Sequence, residues 1–315
     1  AEGMDHPEIT SESGRAIVAH HSALIVEVFG AIEKGASRCQ FSYGDDEHAI
    51  IRELLEIRDH LPSLNKIEAF HDAMERKDDA QHMFNLGILD LRDKAKIESL
   101  AWEICRSVKS SFRQESFVPE EIRGLEEKTG DQYLCNFSVF QSLLDHWACG
   151  QLFPIMPISR LNEKPTHEAT LADITCDSDG QINRFVDIEG GKDTLRLHDL
   201  KTLDSERSPY YLGFFLMGAY QDIMGDLHNL FGRVNEAHIY LDRDEPSGYY
   251  IEEIIPGNTI RGSLRLVQYD ENELSRLMKA QVESAIRDNR LKPSEGMQLL
   301  SDYNSGLNDY TYLRF

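Results

Sequence analysis

The spacing of hydrophobic residues predicts helices between residues 46 and 128. In this region apolar side chains recur every three or four positions, the spacing of an amphipathic helix with one buried face. Short breaks around Pro62 and Gly87 divide the pattern into three stretches. Their apolar stripes are Ile50, Leu54, Ile57 and Leu61, then Ile67, Phe70 and Met74, and then Ile97, Leu100, Ile104 and Val108. The pattern predicts a small helical bundle.

The hydrophobic pattern changes after Pro119 and the glycines at 124 and 130, where short β-type segments begin. These segments alternate or are rich in β-branched residues, and they predict a β-barrel or sandwich from about 131 to 268. They cover 168–175, 194–198 and 237–241. Two helical patterns follow, at about 270–287 and 292–305. The apolar run from Ala23 to Ile32, taken alone, fits a strand or a helix.

Charge and composition narrow the classes of function. The chain has 33 basic and 55 acidic residues, a net charge of -22, which repels phosphate backbones and attracts cationic substrates. We therefore expect no nucleic-acid partner. Neither a long apolar run nor a basic segment followed by an apolar core occurs, so no membrane span or signal peptide is expected. Five cysteines without C-x-x-C spacing indicate a reducing compartment, and hence a cytoplasmic location, rather than disulfides or a zinc site.

Three short motifs carry groups suited to chemistry. Cys176 and Asp177, in Cys-Asp-Ser-Asp-Gly, place a thiol beside a carboxylate, and a thiol with a pKa near neutral can supply a proton. Near the start of the chain, Glu12 shares a turn with a glycine and an arginine. Tyr220 lies in the small-residue turn Gly-Ala-Tyr. A calcium loop around residues 177–180 is rejected, because neither its first nor its twelfth position would be acidic.

These motifs resemble the biosynthetic arginine decarboxylases, pyridoxal phosphate (PLP) enzymes of the alanine racemase-like group. The resemblance runs through most of the chain, in the segments 8–22, 136–142, 153–159, 170–180 and 209–232. Family members are about twice as long, and their cofactor-binding lysine lies on a barrel strand that we expect upstream of residue 1. The chain therefore resembles the C-terminal half of such an enzyme.

The resemblance implies an α+β fold in four parts. Residues 1–40 would be the C-terminal remnant of a PLP-binding (β/α)8 barrel, and 41–130 an inserted helical bundle. A β-barrel domain that carries Cys176 would occupy 131–268. A C-terminal helical segment would occupy 269–315.

The resemblance also implies roles for individual residues. Glu12 would pair with the pyridine nitrogen of PLP, because a carboxylate favours the protonated ring. Gly14 and Arg15 would lie by the cofactor phosphate, to which Tyr220 would also bond. Cys176 would protonate the substrate α-carbon after carbon dioxide leaves.

Further implied roles concern the substrate and the assembly. Asp177 would hold the amino end of the substrate, and both Cys176 and Asp177 would act from a neighbouring subunit of a homodimer or homotetramer. Related ornithine enzymes carry an acid at the place of Phe137, so the guanidinium of a longer substrate needs another acid. Asp145 is a candidate for that acid, and it could equally cap a helix. Dependence on magnesium is a further property of the family.

The function expected from the resemblance is the decarboxylation of L-arginine to agmatine and carbon dioxide, in polyamine biosynthesis. One alternative is decarboxylation of another basic amino acid, such as ornithine or diaminopimelate. Another is a non-catalytic regulatory homologue, because the cofactor-binding lysine is not identifiable in this sequence.

Overall fold

A computed structural model describes residues 7–33, 41–44, 46–112, 119, 122, 124–125, 129–188, 190–200 and 209–314. The described α-helices are α1 (Gly14–Val18), α2 (Ala49–His60), α3 (Lys66–Asn85), α4 (Leu91–Ser111), α5 (Val139–Ser142), α6 (Leu144–Cys149), α7 (Ile260–Leu266), α8 (Glu271–Arg287) and α9 (Pro293–Gly306). The described strands are β1 (Leu24–Ile32), β2 (Asp131–Cys135), β3 (Ile155–Pro157), β4 (His167–Ala172), β5 (Gln181–Ile182), β6 (Leu195–Leu197), β7 (Tyr210–Phe214), β8 (Glu236–Leu241) and β9 (Tyr249–Ile255).

Helices α2, α3 and α4 form the predicted bundle. A side chain before each helix accepts a hydrogen bond from the first turn and so satisfies a free backbone N–H; these caps are His48, Asn65 and Asp90. Pro62 lies in a 3-10 turn between α2 and α3, and Gly87, with φ of +71°, follows α3. The apolar stripes meet in a separate hydrophobic core, which confirms three amphipathic helices with breaks at these two residues.

Strands β1 to β7 form one curled sheet, which has the shape of a half-barrel. The hydrogen-bonded order is β3-β7-β1-β2-β4-β5, and β6 pairs with the other end of β4. The β2–β4 pair is parallel, whereas the other pairs are antiparallel. A second hydrophobic core packs against this sheet and includes side chains of alternate residues, such as Val26 and Val28 of β1. The α+β class is therefore confirmed.

The sheet differs from the predicted barrel in two respects. Strand β1 lies in the range assigned to the PLP-binding barrel remnant, yet it pairs with both β2 and β7 and is central to the half-barrel. Strands β8 and β9 lie inside the range predicted for the β-barrel, yet they form a separate two-stranded hairpin whose side chains are nearly all exposed. Among the described strands, the sheet remains open at β3 and at β5 and β6.

The C-terminal segment packs back onto the sheet. Helices α8 and α9 match the predicted helical patterns. Beyond α9, the Asn136 amide donates to the Leu313 carbonyl at 2.9 Å and accepts from the Leu313 N–H at 3.1 Å. The Tyr312 hydroxyl donates to the Gly232 carbonyl at 2.6 Å. These bonds hold the chain end beside β2. No helix in the described part of the chain has the length and apolar character that crossing a membrane requires.

Candidate active site

The centre of the candidate site is an ion pair between α1 and α6. The Arg15 guanidinium donates through Nη1 to the Oδ2 atom of Asp145. The hydrogen bond and the charge of the carboxylate raise the pKa of Arg15 above its ordinary value, although partial desolvation opposes this effect. Asp145 is 7% exposed as a residue, whereas the Arg15 side chain is 46% exposed. The pair therefore presents a guanidinium outward from a buried carboxylate.

Tyr220 forms one wall of this site. The guanidinium carbon of Arg15 lies 4.9 Å from the centre of the Tyr220 ring, within range of a cation–π contact. Tyr220 has a φ of +69°, in the left-handed region that side chains other than glycine rarely adopt. A Cβ atom built on Gly14 would be 3.9 Å from the Tyr220 hydroxyl oxygen, so the start of α1 lies close to that hydroxyl. Gly14, Arg15 and Tyr220 thus meet at one place.

The backbone of the Tyr220 turn packs directly on the end of α1. The Met217 N–H donates to the Ser22 carbonyl at 3.0 Å, and the Gly218 N–H donates to the Ala19 carbonyl at 2.9 Å. A Cβ atom on Gly218 would lie 2.0 Å from the Val18 carbonyl oxygen. Only glycine permits this approach, and the approach brings Tyr220 to Arg15.

Gln221 connects the Tyr220 turn to Asp145. Gln221 is 2% exposed, and its Nε2 atom donates to Asp145 Oδ2 at 2.6 Å and to the Ala219 carbonyl at 2.8 Å. Its Oε1 atom accepts from the Asp145 backbone N–H at 3.1 Å. The Asp145 carboxylate oxygen that binds Arg15 is therefore also bound by a buried amide.

Cys176 and Asp177 lie in the exposed loop that joins β4 to β5. The base of the loop is Asp173, which accepts hydrogen bonds from the Val139 N–H at 2.8 Å and from the Thr175 N–H at 2.9 Å. Burial raises the pKa of Asp173, and these hydrogen bonds oppose the rise. Gly180 lies against the same carboxylate, where a Cβ atom would be 2.2 Å from Oδ1. The loop conformation is thus fixed by a buried carboxylate and a glycine.

Helix α6 links this loop to the ion pair. The indole N–H of Trp147, two residues after Asp145, donates to Asp179 Oδ2 at 3.1 Å. Trp147 is 47% exposed, and its ring packs edge-on against Phe140, with ring centres 5.3 Å apart. The sequence motifs around Arg15 and Cys176 are therefore connected through one short helix.

The structure brings together four of the predicted site residues, namely Gly14, Arg15, Tyr220 and Asp145. Asp145 pairs with an arginine of its own chain, a partner that the sequence did not predict. Glu12 is exposed in the segment before α1.

Sequence reasoning missed Gln221, Asp173 and Trp147, although each lies within a few residues of a motif it identified. Two of them are polar residues that are almost wholly buried, Gln221 at 2% and Asp173 at 7% exposure, which is the usual sign of a structural or functional network. In the described ranges, no group of three or more His, Cys, Asp and Glu side chains is arranged to hold a metal ion. The magnesium expectation has no site among these residues.

Two family models match the chain. The arginine decarboxylase helical bundle domain matches residues 44–126, and the arginine decarboxylase C-terminal helical extension matches residues 264–313. The first match contains α2, α3 and α4, and the second contains α8 and α9. Both models describe domains of arginine decarboxylases.

Whole-chain relatives specify the family further. The biosynthetic arginine decarboxylase of Phocaeicola vulgatus is 43% identical over 311 residues, which cover 99% of this chain and 48% of the relative. That of Bacteroides thetaiotaomicron is 44% identical with the same coverage. The solved structure of the biosynthetic arginine decarboxylase SpeA from Campylobacter jejuni matches this chain with a TM-score of 0.74 and 32% sequence identity. The match covers 96% of this chain and 47% of the SpeA chain.

The resemblance deduced from the motifs is confirmed, because the chain is similar over nearly its whole length to biosynthetic arginine decarboxylases. The chain spans about half the length of the curated relatives that it matches.

Proposed function

We propose that this chain forms the C-terminal half of a PLP-dependent enzyme that decarboxylates L-arginine to agmatine and carbon dioxide, a step of polyamine biosynthesis. The observation that carries the proposal is the Arg15–Asp145 pair against Tyr220, in a chain related over its whole length to arginine decarboxylases. The net charge of -22 suits a cationic substrate.

The residues at the pair fit the phosphate of PLP. Arg15 presents a planar array of N–H donors, the group that best matches phosphate oxygens, and Tyr220 adds a hydroxyl. Gly14 leaves room for a ligand to approach the backbone. Arg15 and Tyr220 are each about half exposed, so both can meet a ligand. When bound, PLP supplies an electron-accepting ring that stabilises negative charge on the substrate α-carbon.

The proposal also gives roles to the other predicted residues. Glu12 holds a proton on the pyridine nitrogen of the cofactor by pairing with it. The Cys176 thiol delivers a proton to the substrate α-carbon, and its exposure on the β4–β5 loop leaves it accessible to a neighbouring subunit. Asp177 binds the substrate amino end. This arrangement requires a homodimer or homotetramer with sites between subunits.

Asp145 has a different role in this proposal from the one predicted for it. Its carboxylate oxygen accepts from both Arg15 and Gln221, so it holds the phosphate-binding arginine instead of the substrate guanidinium. The group that binds the substrate guanidinium then lies elsewhere in the complete enzyme. We also place the enzyme in the cytoplasm, in keeping with its cysteine pattern.

Product analysis tests the proposal. The complete protein that contains this chain is incubated with PLP and with L-arginine, L-ornithine or diaminopimelate, and released carbon dioxide and amine products are quantified. We expect agmatine from arginine, with kcat/KM at least tenfold above that for the other two substrates. A higher kcat/KM for ornithine or diaminopimelate would identify that amino acid as the substrate instead of arginine. If none of the three amino acids is decarboxylated, the result favours a regulatory homologue.

A further inference from the structure

We propose that Gln221 is a positioning residue that orients the Arg15 guanidinium and the Tyr220 hydroxyl together, and so sets the affinity of the protein for a phosphate-bearing ligand. The inference rests on the proposed function, in which that ligand is PLP. Gln221 itself is 2% exposed and acts through Asp145 and through the turn before it.

The first step of the argument concerns Asp145. Gln221 binds this residue twice, since its amide nitrogen donates to the carboxylate at 2.6 Å and its amide oxygen accepts from the backbone N–H at 3.1 Å. Two bonds to one residue fix the rotation of the carboxylate as well as its position. The carboxylate in turn fixes Arg15, whose own side chain is half exposed and would otherwise be free to move.

The second step concerns the Tyr220 turn. The same Gln221 nitrogen donates to the Ala219 carbonyl at 2.8 Å, and this bond spans Tyr220. Tyr220 has a φ of +69°, a backbone conformation that persists only where the surroundings enforce it. The Met224 N–H adds a hydrogen bond to the Tyr220 carbonyl at 3.0 Å. A change at Gln221 therefore affects both the arginine and the tyrosine.

The chemistry of the contacts explains why the residue is glutamine. Asp145 offers an acceptor in its carboxylate and a donor in its backbone N–H. A side-chain amide matches both, because its nitrogen donates and its oxygen accepts without any change of protonation. Glutamate would place a second carboxylate against the first. Leucine would leave the Asp145 groups without their buried partner.

Ligand binding to the complete protein, freed of cofactor, tests this role. The dissociation constants for PLP and for pyridoxal, which lacks the phosphate, are measured for wild type, Gln221→Glu and Gln221→Leu. We expect PLP binding to weaken about threefold to tenfold in both variants, while pyridoxal binding stays within twofold of wild type. Inorganic phosphate should also compete less well with PLP. Glutamate is close to isosteric, so it keeps the test open if the leucine variant does not fold.

Two reference variants complete the experiment. Arg15→Gln removes the guanidinium. It should raise the dissociation constant for PLP, relative to that for pyridoxal, more than any change at Gln221 does. Gln141→Leu alters another buried amide, 3% exposed and located in α5, and should shift thermal stability without separating the two ligands. This control distinguishes a general loss of packing from a specific loss of phosphate binding.

The outcomes separate the two proposals. If Arg15→Gln discriminates between PLP and pyridoxal but both Gln221 variants bind the two ligands as wild type does, the positioning role is wrong and the proposed function stands. Equal weakening of PLP and pyridoxal in the Gln221 variants likewise overturns the positioning role. If wild type binds no PLP, or Arg15→Gln leaves PLP binding unchanged, both proposals fail.

Discussion

The carboxylate of Asp145 accepts a hydrogen bond from the guanidinium of Arg15, although 130 positions separate the two residues in the chain. The pair joins the short helix α1, next to the central strand β1, to α6, which follows β2. The carboxylate is buried and the guanidinium is half exposed, so the charge available to a ligand is positive. The site therefore presents a positive group on an acidic protein, which suits the proposed binding of a phosphate-bearing cofactor and a cationic substrate.

The first prediction concerns the role of Asp145. Asp145→Asn should weaken PLP binding by about tenfold or more, because the variant loses a charge-assisted bond that orients Arg15. The KM for arginine, measured at saturating PLP, should change by less than about threefold, a small difference in binding free energy. Titration of the cofactor-free protein with PLP gives the first quantity, and steady-state kinetics give the second. Asp302→Asn, on the exposed side of α9, is the control.

The opposite result would restore the role predicted from sequence. If Asp145→Asn kept full PLP affinity and raised the KM for arginine about tenfold, the carboxylate would bind the substrate guanidinium.

The second prediction concerns the contact that positions Tyr220. Gly218→Ala should lower the free energy of unfolding by about 1 to 3 kcal/mol, the usual cost of overpacking. The added Cβ atom would lie 2.0 Å from the Val18 carbonyl oxygen, so the turn must move away from α1. PLP affinity should fall as well. Urea unfolding of the complete protein measures the first effect.

Gly306→Ala is the matched control, because a Cβ atom there meets nothing within 4 Å at the end of α9. It should leave stability unchanged or raise it by up to about 1 kcal/mol. Equal stability of the two variants would mean that the Gly218 contact does not constrain the turn.

Local patterns predicted the helices well. Helices α2–α4 each bury one stripe of side chains and carry their own breaks. Helices α8 and α9 also lie where their patterns predicted them, although they bury few side chains. The sequence of β1 was consistent with either a strand or a helix, because a continuous apolar run shows neither the alternation of a strand nor the 3.6-residue period of a helix. Its assignment depends on distant partners, such as the pairing of Leu24 with Phe214. Local patterns contain no information on such pairings.

The site shows the same division between local and distant information. The motifs identified Arg15, Tyr220 and Asp145 as candidates, and the structure brings them together. They could not show that Asp145 binds Arg15, because that contact requires the packing of α1 against α6. Gln221 was missed for a related reason, since only its burial distinguishes it from an ordinary turn residue.

The third prediction concerns pH and His146, which lies between Asp145 and Trp147 on α6. Burial lowers the pKa of His146 below its ordinary value of 6.5, although backbone carbonyls of Gln151 and Gln181 oppose the shift. The unfolded chain therefore binds a proton more readily than the folded one, and stability rises with pH in this range. The contribution is complete above pH 6.5 and is lost as the pH falls below it.

Thermal unfolding at several pH values between about 8 and 5 measures this effect, with His146→Gln as the uncharged reference. Relative to that variant, the wild type should lose stability as the pH falls below about 6.5. Parallel curves for the two proteins would show that His146 does not contribute to the pH dependence.

The last prediction concerns Cys176 and the proposed subunit interface. Cys176→Ala in the complete enzyme should still release carbon dioxide, but the proton would go to the cofactor carbon that carries the substrate nitrogen. Hydrolysis would then leave that nitrogen on the cofactor as an amine and release an aldehyde in place of most of the agmatine. If each site of a dimer takes its lysine from one chain and Cys176 from the other, a lysine-deficient subunit and a Cys176→Ala subunit should complement each other. Random pairing makes about half of the dimers mixed, and each mixed dimer carries one intact site, so co-expression should restore about a quarter of wild-type agmatine formation.

Neither parent alone should approach that level, and subunit exchange is verified with two affinity tags. An inactive mixture with demonstrated exchange would mean that Cys176 acts within its own chain or does not act in the reaction.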